Sequence, residues 1–509
     1  MSIPLAPIEF RPADSVRPIP SRRCDRRSVG AGRPKRAGLL LLGAAAVGWG
    51  LAMVGVAEAQ PHETDAYLES SRAQWEALAQ AIWEQPELAL QEKQSSAALA
   101  AALAKEGFQI TWGAGGQPTA FVAVAGSGSP VIGLMAEYDA LPGLSQVAGK
   151  AKREPVVADG PGHACGHNLL GTASVAAAVA ANRERVARKL PGTIKLFGTP
   201  AEEVMIGKTF MIRAGAFQGV DAVLAWHPDD QNRVVNRARL AAAAVDVEFF
   251  GRSAHAASSP WLGRSALDAL VLFDHGMALM REHIRPTARM HRRITGGGAA
   301  ANVIPDYTKG DYWVRDVSGE SVNEMIARLK KVGAGAALAT ETRVQFTLLF
   351  FGREVLPNDA LSRVMQDQFT RIGAPAFDAA DTAFARELQQ ELNAAPAGLA
   401  ASVMPYNPGN GNTASSDIGE VAAVAPLAEL GVAVRPIGTP AHHWVQTACA
   451  AHAVGHKGML TAAKVLAGTA VELLGNRAAV QAIKDEFAAK TNGRPYVSPL
   501  APDAIPRAF

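Results

Sequence analysis

At 509 residues, 48% hydrophobic and 19% charged, the chain has the make-up of a folded globular protein with room for two domains, and nothing in it suggests disorder or a repeat array. The formal charge of +3 sits at the start: Met1 to Ala59 hold nine Lys and Arg against Glu9, Asp14, Asp25 and Glu58, which leaves the rest of the chain slightly acidic. That balance excludes an electrostatic case for a nucleic-acid partner or an acidic membrane surface.

The N-terminal stretch reads as an export signal. Arg22, Arg23, Arg26, Arg27, Arg33, Lys35 and Arg36 form a basic region, Ala37 to Val56 a weakly hydrophobic run, and Ala57-Glu58-Ala59 a small-x-small cleavage site, which predicts a periplasmic or secreted protein. The Arg22-Arg23 pair admits the twin-arginine route. The alternative is an uncleaved anchor, because the run is nearly long enough to span a hydrocarbon core of about 30 Å. No other stretch reads as a membrane span. Cleavage would remove Cys24 and leave Cys165 and Cys449, too few for a disulfide framework. Cys449 lies in an Ala-rich helical pattern and reads as buried packing.

Thr64 to Lys105 is helical in pattern, with Trp75, Leu78, Ile82 and Trp83 on one face and a second helix from about Ser95. Ala120 to Val124 and Val131 to Ala136 read as strands, the second running out into Glu137-Tyr138-Asp139. Next comes Gly162-His163-Ala164-Cys165-Gly166-His167-Asn168, two histidines and a cysteine in a glycine-flanked loop, followed by a helix over Leu169 to Val186. Thiolate plus imidazole is a ligand set that zinc-like metals select, and the loop reads as half of a metal centre. Thr193 to Phe197 is a strand leading to Glu202-Glu203, and Asp221 to Ala225 another, delivering His227. In an open α/β sheet, ligands bind beyond the carboxyl ends of the strands, so Asp139, Glu202, Glu203 and His227 should converge with the cysteine loop on one crevice.

From about 237 to 352 the texture changes to strand (Ala242 to Phe250), a turn carrying His255, helix (Ser265 to Arg281), strand (Tyr312 to Val314), helix (Ser321 to Lys331) and strand (Val344 to Phe350). This order suits a small α+β, ferredoxin-like module inserted into the larger α/β domain, whose halves are then 60–236 and 353–490. Helices over Pro357 to Ile372 and Asp378 to Leu392, a Gly/Asn-rich loop over Pro408 to Thr413, a short strand over Val432 to Val434 and a final helix over Lys457 to Leu474 complete the second half. The Pro-rich tail, 491–509, reads as loosely held.

Over nearly the whole region after the signal, these residues resemble the two-metal amidohydrolase and peptidase family that contains aminoacylases, carboxypeptidase G and the indoleacetyl-amino-acid hydrolases, in the branch with Cys-Gly-His in place of a bridging aspartate. Gly166 to Ala173, Gly438-Thr439-Pro440 and His456-Lys457-Gly458-Met459 carry the subgroup likeness. The resemblance implies a zinc-peptidase-like α/β domain with the insert as a lid and dimerisation domain. It also implies two divalent metal ions, zinc by default with manganese or cobalt admitted, held by Cys165, His167, Glu203, His227 and a late histidine. That last ligand is His442, with His443 and His456 as alternatives; His163 receives no role. By the same likeness Glu202 is the general base, Asp139 orients a ligand histidine, His255 reaches the oxyanion in a partner subunit, and Asn302 and Arg315 bind the substrate's acyl oxygen or carboxylate.

The activity so implied is hydrolysis of the amide in an N-acyl or aryl-acyl amino acid, or in a peptide, by a homodimer or by a heteromer with a related subunit. A dipeptidase or carboxypeptidase of the same family, a metal- or solute-binding protein with a dead site, and a hydrolase using Cys165 as nucleophile with His163 or His167 are the competing readings.

Overall fold

Residues 63–408 and 414–507 are described from a computed structural model. The export signal expected in Met1 to Ala59, with Cys24, and positions 409–413 of the Gly/Asn-rich loop lie outside the described residues. In chain order the strands are β1 (Gln109–Trp112), β2 (Phe121–Ser127), β3 (Val131–Ala136), β4 (Gly192–Gly198), β5 (Ala222–Asp229) and β6 (Arg233–Val235). They continue as β7 (Ala241–Phe250), β8 (Arg289–Gly296), β9 (Tyr307–Asp316), β10 (Arg343–Gly352) and β11 (Leu427–Ala433).

The larger sheet has seven strands in the order β1-β2-β4-β3-β5-β11-β6. Its centre, β4, β3, β5 and β11, is parallel, and β2 and β6 close it on either side in antiparallel register. Parallel strands covered on both faces read as continuous apolar runs, which is why Val-Ile-Gly-Leu-Met-Ala of β3 and Ala-Val-Leu-Ala-Trp of β5 were legible. The helix His167–Ala187 lies in the core, buried from His167 through Ala181, because its alanines let it approach sheet and neighbouring helices together. Each of its larger apolar side chains, such as Leu169 and Val175, contributes about 1.5–3 kcal/mol on burial. The helix Ala453–Gly475 packs beside it. By length and hydropathy this helix could cross a membrane, which corrects the expectation that only the N-terminal run could; 83% of its apolar window is buried inside the protein, which makes it a core helix.

The second sheet is fully antiparallel, in the order β10-β7-β9-β8, with the helices Ala266–Met280 and Gly319–Thr340 packed on one face. The chain order strand-helix-strand-strand-helix-strand is the ferredoxin-like pattern. The odd positions of β7, Ala241 to Phe249, face those helices, whereas Ala242 and Ala244 share an apolar cluster with Ala201, Met205, Ile206 and Phe210 of the larger domain.

Three expectations need correction. The insert has four strands: β8, Arg-Met-His-Arg-Arg-Ile-Thr-Gly, is an edge strand with mostly exposed side chains, so it lacks the apolar alternation that reveals a strand. The strand expected over Val432 to Val434 runs from Leu427 to Ala433, because Glu429 inside it is buried against Arg239 and its charge masks the pattern. The tail is docked: Leu500 is buried, Arg213 donates to the Ala501 carbonyl at 3.0 Å, and the Tyr496 hydroxyl donates to Glu420 beneath Arg353.

Candidate active site

All four parallel strands deliver polar side chains at the same end. Beyond β3 stand Glu137 and Asp139, beyond β4 Glu202 and Glu203, within the last residues of β5 His227, and beyond β11 Arg435 and His442. Gly166 shapes the cysteine loop. Its φ of +76° turns the chain into the helix that His167 begins, and an added Cβ would lie 2.8 Å from Gln446 Nε2 and 3.0 Å from the Pro228 ring.

Cys165, His167 and His227 offer ligand atoms within 4.8 Å of one another, and so do Cys165, Glu203 and His442. The thiol therefore belongs to both of these sets, and a third, Glu137, His167 and Glu202, shares His167 with the first. Cys165 Sγ lies 3.4 Å from His227 Nε2, and His442 Nε2 lies 3.4 Å from Glu203 Oε2. Neither His443, which caps the helix Trp444–Ala450, nor His456, half-buried on the helix Ala453–Gly475, joins a set among the described residues. His163 is buried with Nε2 3.2 Å from the Ile82 carbonyl, and burial first, then His167, holds its imidazole down to about 3.

The Asp139 carboxylate fixes two of the candidate ligands. One oxygen lies 3.0 Å from His167 Nδ1, and the other accepts the Glu203 backbone N–H at 2.9 Å. His227 Nδ1 lies 3.0 Å from the Pro228 carbonyl. With Nδ1 protonated, the His227 Nε2 lone pair faces the cluster. Burial alone would hold the His167 imidazole down, but Cys165 and Asp139 outweigh it and hold it up, with Nε2 3.4 Å from Glu137 Oε2, so a cation bound there would displace a proton. Burial, Arg239 and His167 hold the His227 imidazole down to about 3, so it stays neutral and able to ligate. His167 Nε2 and Glu203 Oε1 are buried without a hydrogen-bond partner, and burial drives both the Glu203 carboxyl and the Cys165 thiol up. Orphaned imidazole and carboxylate atoms facing a buried thiol fit divalent cations.

The turn carrying Glu202 and Glu203 is held under strain. Ala201 and Met205 have φ of +57° and +58°, the left-handed region that costs L-residues about 1–2 kcal/mol each. Glu92, fully buried, takes the Ala201 N–H at 2.9 Å and the Thr119 hydroxyl at 2.9 Å. Glu202 Oε1 accepts the Ser416 hydroxyl at 2.6 Å. Burial alone would raise its carboxyl, but Lys208, His167 and Ser416 outweigh it and hold Glu202 at about 2, ionised at neutral pH.

Lys208 is the cation of this corner. Fully buried, its Nζ lies 2.5 Å from Asp417 Oδ1 and 2.9 Å from Glu137 Oε1. Burial lifts the Asp417 carboxyl to about 7 despite the lysine. Replacing Lys208 with Met would strand Glu137 and Asp417 as buried, unpaired acids. The expected loss is about 3–5 kcal/mol of folding stability, read as a shift of the urea midpoint.

The residues open onto a pocket of about 540 Å³ lined by Cys165, Glu202, Glu203, His227 and His442. Arg233, Arg237, Arg239, Arg315 and Arg435 also line it. Arg233 pairs with Asp229 at 2.8 Å and Arg239 with Glu429. Arg237 and Arg315 have no carboxylate partner among the described residues. Of the other residues expected in the site, His255 and Asn302 do not reach this pocket in their own chain. They stand together on the exposed part of the second sheet's connections, where Ala256 N donates to the Asn302 carbonyl at 3.0 Å. Sequence reasoning missed Glu92, Lys208, Ser416, Asp417 and Arg237. Only Glu137, two residues from Asp139 at the same strand end, carried a signal.

A mixed sheet whose parallel strand ends assemble thiol, imidazole and carboxylate groups beside an ionised glutamate defines a metal-dependent amidohydrolase. The chain belongs to peptidase family M20/M25/M40, whose model matches residues 133–482. It is 37% identical over 469 residues to one of the subunits of p-aminobenzoyl-glutamate hydrolase from Escherichia coli, covering 87% of this chain and 98% of the relative. To the Xaa-Arg dipeptidase of Mus musculus it is 31% identical, covering 81% and 89%. Among solved structures, the aminobenzoyl-glutamate utilization protein of Klebsiella pneumoniae superposes with a TM-score of 0.56 at 19% identity, over 81% of this chain and 98% of that one. A dinuclear metal-binding peptidase of the family from Bacillus subtilis gives 0.55 at 18%, over 80% and 99%. Both share the fold.

Proposed function

We propose that this protein hydrolyses the amide of an N-acyl or aryl-acyl amino acid whose amino-acid part carries an acidic side chain. The observation that carries the reading is the pocket itself, lined by two sets of candidate metal ligands sharing Cys165, by Glu202, and by Arg237 and Arg315, which have no carboxylate partners among the described residues. Arginine's planar fork suits a carboxylate, so two unpaired arginines fit a leaving group with two of them. The name of the Escherichia coli relative, which includes glutamate, supports this choice. The pocket is a poor host for a cationic residue, so the dipeptidase relative is the weaker guide to substrate.

Cys165, His167 and His227 would hold one divalent ion, and Cys165, Glu203 and His442 the other. Ions bound there supply Lewis acidity and lower the pKa of nearby water towards neutrality. Arg315 and Arg237 bind the carboxylates and set the scissile amide against the ligand cluster. Glu202 accepts the proton of the attacking water as the C–O bond forms and delivers it to the leaving nitrogen as the C–N bond breaks. Asp139 keeps His167 and Glu203 in place throughout. His255 and Asn302, exposed in their own chain, act at the oxyanion and acyl oxygen of a partner's site, which makes the second sheet the dimer-forming element. The partner is a second copy or a related chain, a choice raised by the relatives' names as subunits. Export to the periplasm rests on the N-terminal sequence, and such an enzyme would meet imported peptides and foreign amides.

The test is a panel of N-benzoyl and N-aminobenzoyl amino acids and free dipeptides, with Arg237→Ala and Arg315→Ala beside the parent. Acylated glutamate or aspartate should be turned over best. Each substitution should raise KM for it about 10- to 100-fold, the worth of a charge-assisted contact; loss of the arginine that holds the side-chain carboxylate should leave acylated alanine little changed, whereas loss of the one that holds the α-carboxylate should raise KM for both. Preference for a free dipeptide ending in arginine would overturn the substrate assignment.

A further inference from the structure

Three consecutive residues, Ser415, Ser416 and Asp417, touch three different parts of the pocket machinery. Ser415 Oγ accepts from Arg315 Nη1 at 2.7 Å, across to the second sheet. Ser416 Oγ donates to Glu202 Oε1 at 2.6 Å. Asp417 takes Lys208 twice, the side-chain Nζ at 2.5 Å on one oxygen and the backbone N–H at 3.0 Å on the other. Upstream, the Ala414 carbonyl accepts the Leu240 N–H at 3.0 Å, at the entry to the second sheet. A short strap is therefore pinned at both ends. Its two serines serve opposite sides, one the second sheet and the other the Glu202 turn.

We propose that Ser415–Asp417 is a positioning strap that sets the general base against the bound substrate. This rests on the assignment of Glu202 as base and Arg315 as a carboxylate-binding group. A glutamate carboxylate has three torsions to explore, and proton transfer needs one oxygen aimed at the water. Ser416 occupies Oε1 with a short charge-assisted bond, so Oε2 is the oxygen left to take the proton. The strap's own place is fixed by the fully buried Lys208–Asp417 pair, so the serine hydroxyl is held against a rigid support. Ser415, on the same backbone, holds the Arg315 guanidinium, which also lies over the Trp313 ring at 5.0 Å from its centroid. One segment thus fixes the distance between the group that would hold the substrate's carboxylate and the group that would move its proton.

The experiment uses the full chain with the acylated acidic amino acid turned over best, free glutamate as a binding probe, and metal content as a control. Ser416→Ala should lower kcat about 10- to 100-fold with KM within about twofold of the parent, the signature of an interaction made only in the transition state. Ser416→Thr, which keeps the hydroxyl, should recover most of that loss. Ser415→Ala should do the opposite, raising KM and weakening glutamate binding by calorimetry about 3- to 10-fold with kcat little changed. Both should bind as much metal as the parent and melt with it. Ser416→Ala with the parent's kcat, or with depleted metal, would overturn the strap, provided Glu202→Ala is inactive. An active Glu202→Ala would instead overturn the assignment of the base on which the strap depends.

Discussion

Glu202→Gln should lower kcat about 10²- to 10⁴-fold, the range for removal of a positioned general base, while metal content and KM stay near those of the parent. Gln keeps the size and the acceptor that Ser416 donates to, but it cannot take a proton. The expectation follows from where the parent charge sits. Glu202 is buried, yet Lys208, His167 and the Ser416 hydroxyl keep it ionised, so the oxygen facing the pocket carries no proton at neutral pH and is free to accept one. Steady-state kinetics with metal analysis of the same samples would check it. A variant that lost its metals together with its activity would show Glu202 to be a structural ligand instead.

Cys165→Ala should be among the most damaging ligand substitutions, because the thiol belongs to two of the three candidate sets, as His167 does. Loss of nearly all tightly bound metal is expected, with kcat/KM down by more than about 10³-fold, since several kcal/mol of transition-state stabilisation comes from the ions. His442→Ala, which touches one set, should instead leave about half the metal bound. Elemental analysis after dialysis distinguishes the two. The same residue argues against a cysteine nucleophile. Burial and the neighbouring Glu203 push its thiol up, whereas a nucleophilic cysteine needs surroundings that push it down. A chelated enzyme that still turned over substrate, and died on thiol alkylation, would reverse this conclusion.

The residues legible in the sequence were those at the ends of buried parallel strands. There a continuous apolar run stops at an acid or a histidine, and β3, β4 and β5 each supplied one. His442 was readable as a candidate but not separable from His443 and His456; the choice depends on a left-handed residue, φ +53°, that turns its ring towards Glu203. The support beneath the site was not legible at all. Glu92 reaches the Glu202 turn across 109 positions and Asp417 meets Lys208 across 209. A lone lysine in Gly-Lys-Thr-Phe-Met-Ile-Arg or an acid in a serine-rich loop carries no periodic mark of such a partner. Hidden for a related reason was β8, because an exposed edge strand has no buried face to impose a pattern.

The contact between the second sheet and the turn after β4 combines large side chains, Leu349 and Phe350 among them, with very small groups. Ala242 of β7 pairs in register with Gly352 of β10, and a methyl added to that glycine would lie 2.8 Å from the Met205 side chain, three residues after Glu202. Neither residue has any chemistry to contribute; a methyl at Gly352 meets only the terminal methyl of Met205, a flexible group that can move aside, whereas a larger side chain would press on the strained turn that carries Glu202. Screens for loss of activity should therefore find Gly352→Ala tolerated and bulky replacements at Gly352 harmful, and attempts to widen the pocket for bulkier acyl groups should start elsewhere.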